Sequence, residues 1–311
     1  MKFKLPFDIP SSDLQLDANS RILFLGSCFA DNISQKMEYL QLRVLNNPFG
    51  TTFHPLPIAT QLQASIYEQK DVSVLRRKDV YLDWSSSSKW SASSEEELVQ
   101  KIIDQRKATR SFLSEADVLV VSFGTAWGYS HPEHLDIVAN CHKKPNTEFR
   151  KELTELDLMF ERWNTLLKEL DKTYPSLRVV FTVSPVRHAK DGLVENNRSK
   201  ARLIELIHRL CESSSAQYFP AYEILIDELR DYRFYAEDLV HPNSAGIAYV
   251  FDAFVDFAYT EKGKSQLAEI KSFVNFKEHR VLHDFSEEEK KRQVKLKSLQ
   301  QEIATKYPWI K

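Results

Sequence analysis

Glycine is scarce in this sequence, with seven in 311 residues, so few positions can take the left-handed backbone conformations or close backbone approaches that a side chain forbids. Cysteine is rarer still. Cys28, Cys141 and Cys211 are the only three, too few for a disulfide framework, and they fit a reducing compartment. No stretch approaches the roughly 18 apolar residues of a membrane-crossing helix, and the opening "MKFKLPFDIP" lacks the apolar run of a signal peptide. The expectation is a cytoplasmic protein with no membrane partner. Neither sign of charge dominates: 42 Lys and Arg against 44 Asp and Glu leave −2, so bulk electrostatics implies no nucleic-acid partner. No Gly/Ser-rich linker and no short repeat divides the chain.

What the sequence does contain is an alternation of short apolar runs with long amphipathic ones. "RILFLG" (21–26), "ADVLVVSFG" (116–124) and "LRVVFTVSP" (177–185) are almost continuously hydrophobic and closed by Gly or Pro, as expected of strands buried on both faces of a parallel sheet. "QYFPA" (217–221) is a shorter candidate. Helical periodicity covers 30–39, 55–69, 94–113, 147–172 and 197–213, the last with Asn196 or Asn197 as N-cap, and a further helix spans about 244–259. Strand and helix in alternation predict a three-layer α/β/α domain with right-handed crossovers. Residues 79–93 and 125–146 fit that rhythm poorly and read as insertions, the second a β-excursion. From about residue 262 the chain is densely charged. The expected division is therefore a main domain over 1–260 and a charged helical C-terminal extension over 261–311, packed on that domain or on a second subunit of a homo-oligomer.

Ligands of such sheets bind beyond the carboxyl ends of the strands, and each strong strand here ends in unusual chemistry: "GSCF", "FGTAWG" and "SPVRH". In "RILFLGSCFADNI" (21–33) a strand stops at Gly26 and turns into a helix at Ser27 and Cys28. Ser27 is either a small residue capping that helix or a nucleophile. A serine needs a base and a group that orients the base, and "DLVHP" (238–242) supplies both in Asp238 and His241.

Those motifs, with "NPFGTTFHP" (47–55), "VANCHKKP" (138–145) and "TVSPVRH" (182–188), resemble the GSCFA family, a bacterial group related to the SGNH, or GDSL-like, hydrolases, over about residues 20–260. The resemblance implies a flavodoxin-like fold with Ser27 as nucleophile, His241 as base and Asp238 as its partner. It also implies oxyanion donors: the backbone N–H at Cys28, then Gly50 or the nearby Asn47, then a Gly-x-Asn block matched by Gly124 and Thr125. There the pattern breaks, because Ala126 stands where asparagine is expected, and Thr125 or Asn47 would have to replace the missing donor.

Other residues invite sharper and blander readings. Cys28 is expected to be a largely buried small hydrophobe rather than a thiolate. His131, His134, Cys141 and His142 are zinc-type ligands, but their spacing is not that of a helical metal motif, and a loop lining the cleft is expected instead. Arg187 and His188 stand at a strand end where they would hold a carboxylate or sugar hydroxyls. Trp84, Trp90 and Trp127 would stack on a sugar or fill an insertion core. Together these readings describe an esterase or O-acyltransferase with an acyl-serine intermediate and a small-molecule or carbohydrate ester as substrate, requiring neither metal nor cofactor. The rivals are an inactive module binding a glycan or nucleotide-sugar and, behind it, a metal-dependent hydrolase.

Overall fold

Alternate residues of the hydrophobic strands serve opposite faces of one sheet. Ile22, Phe24, Val118, Val120 and Val180 join one apolar cluster, while Leu23, Leu25, Leu119, Val121, Phe181 and Val183 join another. The computed structural model describes residues 7–279 and 287–310; residues 1–6, which open the segment read for a signal peptide, and residues 280–286 and 311, which belong to the expected extension, lie outside that description. The elements run β1 (Arg21–Gly26), α1 (Cys28–Tyr39), β2 (Arg43–Asn46), α2 (Pro55–Ile66), β3 (Val74–Arg77), β4 (Val80–Asp83), β5 (Ser91–Ala92), α3 (Glu95–Leu113), β6 (Val118–Phe123), β7 (Trp127–His131), β8 (His134–Ile137), β9 (Arg150–Leu153), α4 (Leu156–Thr173), β10 (Arg178–Val183), α5 (Leu193–Glu212), β11 (Gln217–Tyr218), α6 (Ala221–Glu223), α7 (Ser244–Ala258), α8 (Glu261–Glu278) and α9 (Glu287–Lys306).

The central sheet has five strands in the order β11-β10-β6-β1-β2, all pairs parallel. Counting only these strands in chain order gives 2-1-3-4-5, the flavodoxin-like arrangement, whose switch point lies between the first and third strands, here β1 and β6. One face carries α1 and α7 with the described parts of α8 and α9, and the other carries α2, α4 and α5. The three-layer expectation holds. Charged as it is, the C-terminal segment contributes Leu267, Ile270, Phe273, Val274, Ile303, Tyr307 and Ile310 to the first cluster.

Three local expectations need correction. The helix read from 147 begins at Leu156, because 150–153 forms β9, the return strand of the excursion. The helix read from 197 begins at Leu193 after Gly192, and Asn196, buried within it, accepts from the His188 N–H through Oδ1 at 2.9 Å. The edge strand β2 was not among the expected strands. The insertions form two small antiparallel sheets, β3-β4-β5 and β8-β7-β9, joined by a cluster that includes Leu75, Leu82, Trp84 and Val138.

Candidate active site

Gly26 explains why a glycine-poor chain places one at the end of β1. Its φ is +122°, and a Cβ there would lie 2.1 Å from the Ser122 carbonyl oxygen on β6. That close approach lets the Ser27 N–H donate to the same oxygen at 3.0 Å and turns the chain sharply into α1. It also decides which side chain meets the cleft. Ser27 is fully buried, with Oγ 2.8 Å from Ser122 Oγ and accepting from the Phe29 N–H at 3.2 Å as the N-cap of α1. Cys28, half-buried, lines a cavity of about 720 Å³ that Ser27 does not reach. The expectation that the turn presents Ser27 to the cleft is thus overturned in placement, while Cys28 lines the cavity though still half-buried: the turn at Gly26 rotates the first residue inward and the second toward the cavity.

The cavity brings Cys28 together with Thr125, Arg187, His188, Asp238 and His241, across more than two hundred residues of sequence. Asp238 and His241 share a tight loop in which Leu239 takes a positive φ of 58°. Asp238 Oδ1 accepts from the N–H groups of Val240 and His241, each at 2.9 Å, and Oδ2 lies 2.7 Å from His241 Nδ1. These bonds, to the His241 backbone and ring first and then to Val240, hold the Asp238 carboxyl down at about 2. With Nδ1 engaged by the carboxylate, Nε2 is the imidazole nitrogen left for chemistry.

Burial pushes the Cys28 thiol above its ordinary range and the Asp31 carboxylate adds to that, while Lys200 and the backbone N–H groups of Cys28 and Phe29 oppose it. Asp31, in the first turn of α1, is itself held by Asn47 Nδ2 at 2.7 Å and Thr51 Oγ1 at 2.6 Å. His188 packs edge-on against Phe53 with ring centroids 5.5 Å apart, and burial together with Lys200 lowers its imidazole to about 4. Arg187 lies 4.9 Å from the centroid of the Tyr235 ring.

The expected oxyanion donors do not all reach this cavity. Asn47 is spent locally, accepting from the Gly26 N–H at 2.7 Å and donating to Asp31. The Gly50 N–H donates to the Asn47 carbonyl, and Gly50 abuts Ser87. Gly124 N–H donates to the Phe53 carbonyl at 2.8 Å. Thr125 lines the cavity, but its hydroxyl accepts from the Trp127 N–H at 3.0 Å and lies 3.1 Å from Ser199 Oγ. Ala126 belongs to the apolar core beneath, so an asparagine side chain there would have to enter that core.

The histidine-rich excursion is organised around Trp84 rather than around a common ligand point. Trp84 is buried, stacked on His131 at 4.7 Å and on His134 at 6.2 Å, with His142 5.9 Å away. His134 is bonded to Ser73 Oγ, and His142 to Ser88 Oγ and the Asp83 carbonyl. Among the described residues no His, Cys, Asp and Glu side chains converge as a metal site. Trp127 and Cys141 line the cavity, and Trp90 packs beside Ala92.

Two residues, one lining the cleft and one buried beneath it, have no counterpart in the sequence reading. His54 lines the cavity while its Nδ1 accepts from the Leu56 N–H at 3.2 Å and its Nε2 lies 3.0 Å from Thr154 Oγ1. Lys200, 1% exposed, donates to the carbonyls of Gly124 at 2.7 Å and Ser184 at 2.6 Å. A signal for Lys200 existed, since it occupies the buried stripe of α5 with Asn196, Leu203, Leu206, Ile207 and Leu210.

Among described residues no helix is long and apolar enough to cross a membrane. No curated protein matches the chain. A solved chain from Streptococcus pneumonia, described provisionally as a platelet activating factor, is similar at 12% identity over 78% of this chain and 85% of that one, with a TM-score of 0.38. The GSCFA family model matches residues 21–254, from the first residue of β1 into α7, and the chain belongs to the GSCFA family.

Proposed function

We propose that this protein is an acyl-transfer enzyme acting on an ester, as a hydrolase or an O-acyltransferase, with Cys28 as nucleophile, His241 as general base and Asp238 as the group that orients the base. One observation carries the reading: Cys28, His241 and Asp238 line a single cavity at the switch point of the sheet, with the imidazole and carboxylate already hydrogen-bonded. The relation of the GSCFA motifs to the SGNH hydrolases supports the same chemistry with a thiol in place of the hydroxyl.

A thiol raised by burial is protonated at neutral pH and needs a base. His241 Nε2 takes the Sγ proton as sulfur attacks the acyl carbon. The developing oxyanion falls to the Cys28 N–H at the start of α1, where the helix dipole also favours negative charge. Collapse expels an alkoxide that recovers the proton from His241, and water or an acceptor hydroxyl then resolves the acyl-cysteine thioester. Phe53, Ile137, Val138, Val186 and Val240 give the cavity an apolar wall suited to the acyl group. A small-molecule or carbohydrate alcohol is the proposed carrier.

The test is to treat wild type, Cys28→Ala and Ser27→Ala with p-nitrophenyl esters of rising chain length and locate any acyl adduct by peptide mass spectrometry. An adduct on Cys28, with turnover lost by roughly 10³-fold or more in Cys28→Ala, is the expected result. An adduct on Ser27, or full turnover in Cys28→Ala, overturns the assignment. Asp238→Asn should lower turnover by about 10²-fold or more while the protein stays folded. The buried Ala126 favours one rival, a non-catalytic binding module, which forecasts no adduct on any residue.

A further inference from the structure

Arg187 is a cation of the cavity wall that nothing in the acyl-transfer scheme uses. It follows β10, between Val186 and His188, and lines the same cavity as Cys28 and His241. Its guanidinium carbon stands 4.9 Å from the centroid of the Tyr235 ring, which is 7% exposed, and its Nη1 is shut off from solvent without a hydrogen-bond partner. The ring and hydroxyl of Tyr235 hold the guanidinium in place but bring it no negative charge. Arginine keeps its own charge throughout the range in which proteins fold. A charged donor withdrawn from water without an acceptor is costly, and an anion in the cavity would offset that cost.

The carboxylates of the cavity lining, Asp191 and Asp238, are both engaged elsewhere. Asp191 pairs with Lys151, and Asp238 with His241 and two backbone N–H groups. His188, read beside Arg187 as a second ligand-holding residue, packs against Phe53 instead and is kept neutral by burial. On its other side Arg187 borders a hollow of about 290 Å³ that Asp227, Arg230 and Asp231 also line. Asp231 lies 3.2 Å from Arg233, and neither aspartate forms an ion pair with Arg187. Lys190, exposed at the rim of the main cavity, has no carboxylate partner either. Among the described residues, the main cavity therefore presents two cations without carboxylates and no carboxylate without a partner.

We propose that Arg187 is the specificity-determining residue of this cavity: it receives an anionic group, a carboxylate or phosphate, on the molecule that binds beside Cys28 and His241. That this molecule is an ester rests on the acyl-transfer reading; that it is anionic rests on Arg187. A guanidinium offers a fork of N–H donors that matches two oxygens of a carboxylate or phosphate, a stronger pairing than it makes with neutral hydroxyls. Because Tyr235 already orients the group and part of it is already out of water, little ordering or desolvation opposes binding. The charge belongs either to the acyl half of the ester, as in a dicarboxylic half-ester, or to the alcohol half, as in a phosphorylated alcohol.

Isothermal titration with glutarate and with inorganic phosphate, at constant ionic strength, reads the anion site without any turnover. Wild type should bind at least one of them, and Arg187→Gln should weaken that binding roughly tenfold or more. Arg187→Lys, which keeps the charge but loses the fork, should show a smaller loss in the same direction, and it carries the comparison if the glutamine variant does not fold. Two pairs of esters then locate the charge: mono-p-nitrophenyl glutarate against p-nitrophenyl valerate, and acetylated glycerol 3-phosphate against acetylated glycerol. Wild type should favour the anionic member of one pair by about tenfold in kcat/KM, chiefly through KM, and Arg187→Gln should erase the preference. The pair that shows it names the half that carries the anion. No binding of either anion to wild type, binding unchanged in both folded variants, or a preference that survives in Arg187→Gln overturns the proposal. The failures separate: esters turned over without regard to charge leave the acyl-transfer reading standing while Arg187 falls. Arg187-dependent anion binding with no ester turned over leaves Arg187 standing and overturns the acyl-transfer reading.

Discussion

At the scale of single residues, the turn after β1 divides its work between neighbours that the sequence presents as equals. Ser27 and Cys28 are both small, both follow the strand and both are compatible with a nucleophile; what separates them is the φ of +122° at Gly26, a backbone angle with no one-letter code. Gly26→Ala should therefore cost about 3 kcal/mol or more, since the new Cβ meets a backbone oxygen and the angle itself is strained; urea denaturation reads the loss. Ser27→Ala should lose roughly 1–3 kcal/mol, through the orphaned Ser122 hydroxyl and the missing cap, yet keep its turnover per folded molecule. A catalytic Ser27 would show the opposite pattern. Asp238 and His241 were legible because their chemistry lies within four residues of sequence. Lys200 was not, because a lysine on an amphipathic helix ordinarily marks the wet side, and only its phase against Leu203 and Ile207 contradicts that.

At the scale of elements, legibility followed burial. β1, β6 and β10 are sandwiched between helix layers, so their residues are apolar without interruption and their ends were readable to within two residues. β2 is an edge strand of partly buried residues, and β9, "RKEL", lies half in water; neither has the pattern that a fully covered strand must have. α9 shows the converse. Its charge hides the packing: Ile303, along with Tyr307 and Ile310 just beyond, reaches the core, and Arg43 lies over the Trp309 ring at 4.3 Å. Ile303→Ala should cost about 2–4 kcal/mol, whereas Val294→Ala, 71% exposed on the same helix, should change stability by under about 0.5 kcal/mol. Equal effects at the two sites, measured by chemical denaturation, would mean that α9 is not docked as described.

At the scale of the whole molecule, buried imidazoles set the acid limit. His54, brought to about 3 by burial, and His188, brought to about 4, are neutral when folded across a range where the unfolded chain protonates them. Their folded values lie below the unfolded value of about 6.5, so the stability they contribute is complete above that pH and is lost as pH falls toward 4 and then 3. Each should subtract up to about 1.4 kcal/mol per pH unit inside its window. Unfolding at pH 7, 6, 5 and 4.5 should therefore show a steepening decline, and His54→Gln should flatten the slope. A stability constant from pH 7 to 4.5 would refute the argument. Asp238 works in a lower window: its carboxyl, held at about 2 against an unfolded value near 3.8, keeps its bond to His241 until the medium is far more acidic.

The stack at Trp84 has an optical consequence. An indole in van der Waals contact with imidazoles loses emission when those rings become cationic, because an imidazolium accepts an electron from the excited indole and neutral imidazole does not. Trp84 is stacked on His134 with ring centroids 6.2 Å apart, and burial keeps His134 below its ordinary titration range. The intrinsic fluorescence of the protein should stay bright through neutral pH and dim only in acid, and Trp84→Phe should abolish that dimming. Because the same ring joins the sheet β8-β7-β9, which walls the cavity, to its companion β3-β4-β5, its brightness would report, in real time and without a label, whether the two sheets remain docked.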